Sequence, residues 1–440
     1  MDSSIPEDSA PGSAPAPGQD ASAAVTPTVS AHAAARSSAT LPATAPDDVQ
    51  AASLSVPQPV LGQAVRRRRS LLGAAIVGFI LLGIALLLVA GYFLLAIGPG
   101  LTFIGAILAL IPLAIVLLGV RWIDRWEPEP RLVMLFAFLW GATASILIAL
   151  FVDAGISELL AAGGQSTNWT VFIQTTVQAP VVEEAGKGFG VLLIYLVARR
   201  FFDGPVDGIV YAALVAAGFA FTENIQYFAI QLAESGTLDG QVGEIFFIRG
   251  ILSPFAHVMF TALIGFFIGL AARKGSAGMG ILLFLVGLVP AILLHAFWNG
   301  VLFFIYDFYG YYVLVQMPLF AVAVFIVILL RRREARMTQL RLGEYAAAGW
   351  FNASEVETLG TAAGRRRAMA WARSRGLGPV MKVYIRDATH LAFARNRIVS
   401  GRDRIGSQAD EAHLLAQVTA SRRALVAAQP TEPQRSRASV

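Results

Sequence analysis

The run "TVFIQTTVQAPVVEEAGKGFGVLLIYLVA", Thr170 to Ala198, reads as a membrane-crossing helix everywhere except its centre. There Glu183, Glu184 and Lys187 interrupt it. A charge in the middle of a spanning helix costs at least about 2.5 kcal/mol, so such residues face a protein interior or a water-filled cavity and mark function. The apolar flanks set the fold, and the interruption points to the chemistry.

Composition agrees with the flanks. Of 440 residues 56% are hydrophobic and 14% charged, with a mean hydropathy of +0.63, which is the balance of a polytopic membrane protein. The chain has no cysteine, which excludes disulfides, a thiolate nucleophile and a Cys-ligated metal. The net charge of +5 is unevenly spread. Residues 1–65 carry one Arg against six acids, and residues 331–440 carry twenty Lys/Arg against nine acids. The Ala/Pro/Ser-rich stretch 1–65 lacks the residues for a core and reads as a disordered cytoplasmic tail, and without a basic start and apolar centre it is no signal peptide. Residues 331–440 read as an Arg-rich, helical cytoplasmic extension, with Ser354 and Glu357 as a capping box at one helix start.

Between them, residues 66–330 hold apolar runs at about 71–97, 101–120, 132–152, 173–198, 206–231, 251–272, 279–305 and 312–330. Each approaches the ~20 residues that cross the hydrocarbon core. The expected fold class is therefore an all-α polytopic membrane protein, a bundle of about eight transmembrane helices. Arg66 to Arg69, Arg121, Arg125, Arg131, Arg199, Arg200, Arg273, Lys274 and Arg331 to Arg333 all fall on one side, and only Arg249 on the other. Basic connections stay in the cytoplasm, so both termini are expected there.

With that orientation, Glu183, Glu223, His257, His295 and Asn299 lie roughly 9–15 Å below the outer face, at about 1.5 Å per helical residue. Four spans thus put costly polar groups at one level. Pro180, Pro254 and Pro290 precede three of these groups and free backbone carbonyls that a shared wet cavity would satisfy. The glycines at 186, 188, 190, 265 and 269 would let helices approach closely around it. Glu183 and Lys187, at i, i+4, share a helix face, as do His295 and Asn299. Three carboxylates converging in a low dielectric need cations, protons or a divalent metal. Two His plus a carboxylate suit catalytic zinc, and a bare glutamate activating water is the metal-free version. Carboxylate, Lys and His clusters also serve proton-coupled transporters, or hold helices in a non-catalytic scaffold.

Several motifs in order add a family. "DRWEPEPR" at 124–131, "PVVEEAGKG" at 180–188, "FDGPVDGIVYAALVAAGFAFTENIQY" at 202–227, "HVMFTALIG" at 257–265 and "HAFWNG" at 295–300 resemble the PrsW family of intramembrane proteases, related to the CAAX-processing and bacteriocin-processing enzymes. The resemblance covers about residues 120 to 305. It implies that Glu183 and Glu184 are the essential glutamates of an EExxK motif that Lys187 completes. It further implies that Phe219 and Glu223 form FxxxE, and that His257 and His295 are the family's histidines. The CAAX-processing relatives carry FxxxH where this chain has FxxxE, so their Glu–His arrangement does not transfer intact.

The resulting expectation is an intramembrane endopeptidase of a bacterial inner membrane, cutting membrane-anchored proteins such as anti-sigma factors. Glu183 is the expected general base, with Glu184 and Glu223 on water or metal. His257, His295 and Glu223 are the expected zinc ligands, Lys187 the charge balance and Asn299 the oxyanion donor. The expected partners are the protein substrate and the lipid bilayer, with no nucleic acid. "DRWEPEPR" is expected as a solvated, proline-stiffened structural loop.

Overall fold

The computed structural model describes residues 58–162, 168–236, 240–273, 276–401 and 407–428, and every element among them is helical. The expected tail lies outside these residues as far as residue 57. Helix α1 (Gln58–Ala96) already includes the last eight residues assigned to that tail. Helix α2 (Pro99–Ile123) follows, then α3, built of Arg131–Leu139, a π-helical turn Trp140–Ser145 and Ile146–Ala162. The opening stretch belongs to α4, which joins Asn168–Ile173, a π-helical turn Gln174–Gln178 and Ala179–Ala198.

Helix α5 (Pro205–Ser235) is enclosed along most of its length by α2, α3 and α7 (Ala256–Ala272). Before α7 comes α6, Gly240–Phe246 with a π-helical turn Phe247–Leu252. Helix α8 (Ala277–Val301) packs on α7. Helix α9 joins Phe308–Tyr311, a π-helical turn Tyr312–Gln316 and Met317–Ala347. Among the described residues, seven helical runs are long and apolar enough to cross a membrane. The run Asn168–Ala198 has the length as well, about 46 Å at ~1.5 Å per residue, and carries the three charges. Leucines, isoleucines and phenylalanines on the outer helices point outward, as lipid-facing residues do.

Close helix approach brings the polar groups together. A Cβ on Gly208 would stand 2.0 Å from the Gly265 carbonyl oxygen, and one on Gly265 would stand 2.2 Å from that of Gly208. No side chain fits there, so α5 and α7 touch backbone to backbone. Gly190 is likewise filled by the Trp140 indole. Gly186 is different: a Cβ there would find its nearest neighbour at 3.7 Å, so this glycine is not needed for close approach.

The chain leaves the bundle through α9 into α10 (Ala353–Gly360), α11 (Ala362–Arg373), α12 (Gly378–Val399) and α13 (Ser407–Ala427). Leu342, Leu359, Met381, Leu391 and Val418 form a separate apolar core for this part. The capping box is two residues earlier than the Ser354–Glu357 reading: Asn352 Oδ1 accepts from Glu355 N at 2.8 Å, and Glu355 Oε2 accepts from Asn352 N at 3.0 Å. Asn competes well with Ser as a cap, and the extended backbone of Asn352 sets the choice.

The loop "DRWEPEPR" is not solvated as expected. Arg121 and Arg125 stay exposed, but Glu129 is buried and accepts from the Tyr211 hydroxyl. Burial, reinforced by the charge of Asp207, holds the Glu129 carboxyl well above the ordinary range. Trp126 donates from Nε1 to Thr338 Oγ1 at 3.1 Å. Arg365 lies over the Trp126 ring at 3.5 Å and donates to its carbonyl at 3.0 Å, to the Leu359 carbonyl at 2.7 Å and to Thr389 Oγ1 at 2.7 Å. Arg397 pairs with Asp203 at 2.7 Å. The extension is therefore latched to the bundle through α2's end and the start of α5. Arg365→Ala breaks three hydrogen bonds and a cation–π contact and is expected to cost about 2–4 kcal/mol. Thermal unfolding in detergent reads this as a lowered midpoint; an unchanged midpoint would mean the latch carries no weight.

Candidate active site

Six of the seven predicted site residues meet inside the bundle. On α4, Lys187 is fully buried and reaches back three and four residues at once. Its Nζ lies 2.8 Å from Glu184 Oε1 and 3.0 Å from Glu183 Oε2. Adjacent glutamates can share one ammonium because i+3 and i+4 lie on either side of the same helix face. The Phe219 ring closes the other side, 3.8 Å from Nζ, and His257 Nδ1 stands 3.1 Å away.

Each histidine is oriented by its own carboxylate. His295 Nδ1 donates to Glu184 Oε1 at 3.1 Å, and Thr261 Oγ1 donates to Glu184 Oε2 at 2.8 Å. Glu184 is wholly buried, and both of its oxygens are occupied. On the other side, His257 Nε2 donates to Glu223 Oε2 at 2.8 Å. An ionised carboxylate only accepts, so Nδ1 of His257 and Nε2 of His295 carry the lone pairs, and that of His257 accepts from Lys187 Nζ at 3.1 Å. The rings are held edge to face with centroids 5.3 Å apart, and Phe260 stacks on His295 at 4.6 Å.

The donor set that converges is Glu183, His257 and His295, with one ligand atom from each within 4.8 Å of the others. Two imidazoles and a carboxylate, each imidazole steered through its second nitrogen by another carboxylate, form a set suited to a divalent ion such as zinc. The carboxylate that converges with the two histidines is Glu183, where the sequence reading named Glu223. Glu223 is turned toward Arg249, whose Nη2 lies 2.6 Å from the same Oε2. Asn299 does not enter the cluster: its amide donates to the Thr175 carbonyl at 3.1 Å, in the π-helical turn of α4. There it satisfies backbone that the π turn frees.

Sequence reasoning missed Arg249, Thr261 and Phe260. Thr261 lies one turn after His257 and on the same face, a spacing signal that was available. Arg249 was visible as the lone basic residue of the outer connections, but nothing in its surroundings announces that it turns inward.

A multi-helix membrane protein with paired glutamates and histidines converging inside its bundle holds the groups that hydrolysis of a bond within the membrane requires. Comparison with known proteins names the family. The family model for the PrsW family intramembrane metalloproteases matches residues 129–327, a range that contains every side chain of this cluster. Protease PrsW of Clostridioides difficile is 32% identical over 197 residues, which are 44% of this chain and 78% of the relative. Those of Oceanobacillus iheyensis and Bacillus subtilis are 28% and 29% identical, over 50% and 41% of this chain and 92% and 73% of their own. No solved structure matches the chain. The chain belongs to the PrsW family, and it is an intramembrane protease. Helices α10 to α13 lie outside the matched range.

Proposed function

We propose that the chain cuts a peptide bond of a membrane-anchored protein, of the anti-sigma-factor type, at the cluster of Glu183, His257 and His295. The observation that carries this reading is the convergence of three donor atoms from three separate helices within 4.8 Å, in the interior of the bundle. Glu183, His257 and His295 would hold a zinc ion, which supplies Lewis acidity toward the scissile carbonyl and a more acidic water when bound. Glu183 spends Oε2 on Lys187, and its Oε1 makes no hydrogen bond among the described residues. That oxygen is the one that would ligate an ion; in the metal-free version it takes the proton of the attacking water as the water oxygen bonds to the carbonyl carbon. It then returns that proton to the amide nitrogen as the C–N bond breaks. Glu184 and Glu223 set the two imidazoles, Lys187 balances the acids, and Asn299 holds α8 to α4.

The basic connections favour a topology with both termini in the cytoplasm and the cluster in the outer half of the bilayer, which in this reading is a bacterial inner membrane. Substrates would then be cut near the outer ends of their spans. The decisive experiment compares membranes expressing wild type with membranes expressing Glu183→Gln, by mass spectrometry of new protein termini. Cleavages present only with wild type and clustered near outer span ends are the expected result. Equal terminomes from two folded, inserted proteins would remove Glu183 from the chemistry.

A further inference from the structure

We infer that Arg249 is a positioning residue, acting through Glu223 to set the ring of His257. The inference rests on the site proposed above. Three side chains of α5 form a receptor for this one guanidinium. Glu223 Oε2 lies 2.6 Å from Nη2, Asn224 Oδ1 accepts from Nε at 3.1 Å, and the Tyr227 ring lies flat beneath it at 3.8 Å. Glu223 and Tyr227 are one turn apart, so one face of α5 presents a carboxylate and an aromatic face together. Asn224 completes the fork geometry that arginine offers and lysine does not. The sequence "TENIQY" thereby acquires a physical reading: it is a cradle for a residue on another helix.

Arg249 reaches this cradle from a π-helical turn of α6 that ends at the break Ser253-Pro254-Phe255. The Ser253 amide bonds five residues back, to the Ile248 carbonyl at 2.9 Å. That widened turn, which often marks functional sites, is where α6 gives way to α7 and its His257. The same Glu223 oxygen accepts from Arg249 and from His257 Nε2, so the guanidinium fixes the acid that fixes the ring. Charge counting agrees. Glu183, Glu184 and Glu223 face two cations, Lys187 and Arg249, and each acid has an ion-pair contact with one of them. Arg249 itself is 27% exposed, and among the described residues no hydrogen bond or ion pair joins it to Glu183, His257 or His295, so its contact with the cluster is made through Glu223.

The test uses the full chain in proteoliposomes, with a reporter carrying a transmembrane segment found cut in wild-type membranes. Arg249→Met is expected to lower kcat by about 10–100-fold, the range for loss of an outer-shell partner, with KM within about twofold. A Zn2+ titration against a competing chelator is expected to weaken over the same range. Arg249→Lys, which keeps the charge but not the fork, should recover only part of the kcat, and in a Glu223→Gln background Arg249→Met should add less than about twofold. Wild-type kcat and Zn2+ affinity in Arg249→Met would overturn the inference, as would a loss confined to KM or one additive with Glu223→Gln. Full activity of His295→Ala in the same assay would instead overturn the site reading, and this inference with it.

Discussion

Lys187→Met is expected to cost about 3–5 kcal/mol of stability, the range measured when one partner of a buried ion pair is removed. The ammonium is fully buried and lies within 3.1 Å of Glu183, Glu184 and His257. Methionine would fill a similar volume beneath the Phe219 ring while leaving two neighbouring carboxylates without their cation. Water cannot replace it around Glu184, which is wholly enclosed. Size-exclusion profiles and thermal unfolding in detergent should show a poorly folded population. Combining Lys187→Met with Glu184→Gln should recover part of that stability, because deleting both halves of a buried pair is far less costly than deleting one. Activity should not return with it. Wild-type unfolding of Lys187→Met alone would mean that the acids are not held as charges, and the electrostatic account of α4 would fall.

His295→Ala is the second large effect, and it separates chemistry from folding. His295 is buried between Glu184 and the stacked Phe260 ring, and it brings one of the three converging nitrogen and oxygen donors. Its removal should cut the cleavage rate roughly a thousandfold, beyond the ~10–100-fold expected for an outer-shell partner, and abolish stoichiometric Zn2+ binding. Glu184 keeps Lys187 and Thr261, so most of the fold should survive. Lost activity with unchanged Zn2+ binding would place the metal elsewhere and leave His295 as a metal-free donor. The contrast with Lys187→Met is the informative part: one substitution removes the charge that the fold depends on, the other a donor that the fold tolerates losing.

Much of this architecture is legible in the sequence, for reasons that differ by element. The spans are legible because apolar runs near twenty residues have few other uses. The run from Asn168 to Ala198 is legible for the opposite reason, since its three charges contradict its flanks. The motif residues Glu183, Glu184, Lys187, Glu223, His257 and His295 are recognisable one by one, and the bundle gathers all six. Illegible were the directions of their atoms. Whether Glu183 or Glu223 supplies the converging oxygen depends on helix rotation about neighbours that no local pattern encodes. Asn299 has the same i, i+4 relation to His295 that suggested a shared task, yet it spends its amide on the Thr175 carbonyl. The loop "DRWEPEPR" looks like solvated charge, and a distant Arg365 and Tyr211 make it an interior junction.

By itself, the sequence determined that this protein is a helical membrane bundle with costly ionisable groups inside it, because hydropathy and charge add up locally along each helix. It also determined which residue types were available for hydrolysis. Only the tertiary structure decided how they are used. His257 and His295 lie 70 and 111 residues from their partners Lys187 and Glu184, so their pairing depends on how helices seat against one another. The seating is set where α5 and α7 meet backbone to backbone at Gly208 and Gly265, and a hydrogen bond requires its atoms within about 3 Å. That requirement makes Glu184 and Glu223 the acids that steer rings, Glu183 the acid among the converging donors, and Arg249 the cation beside Glu223.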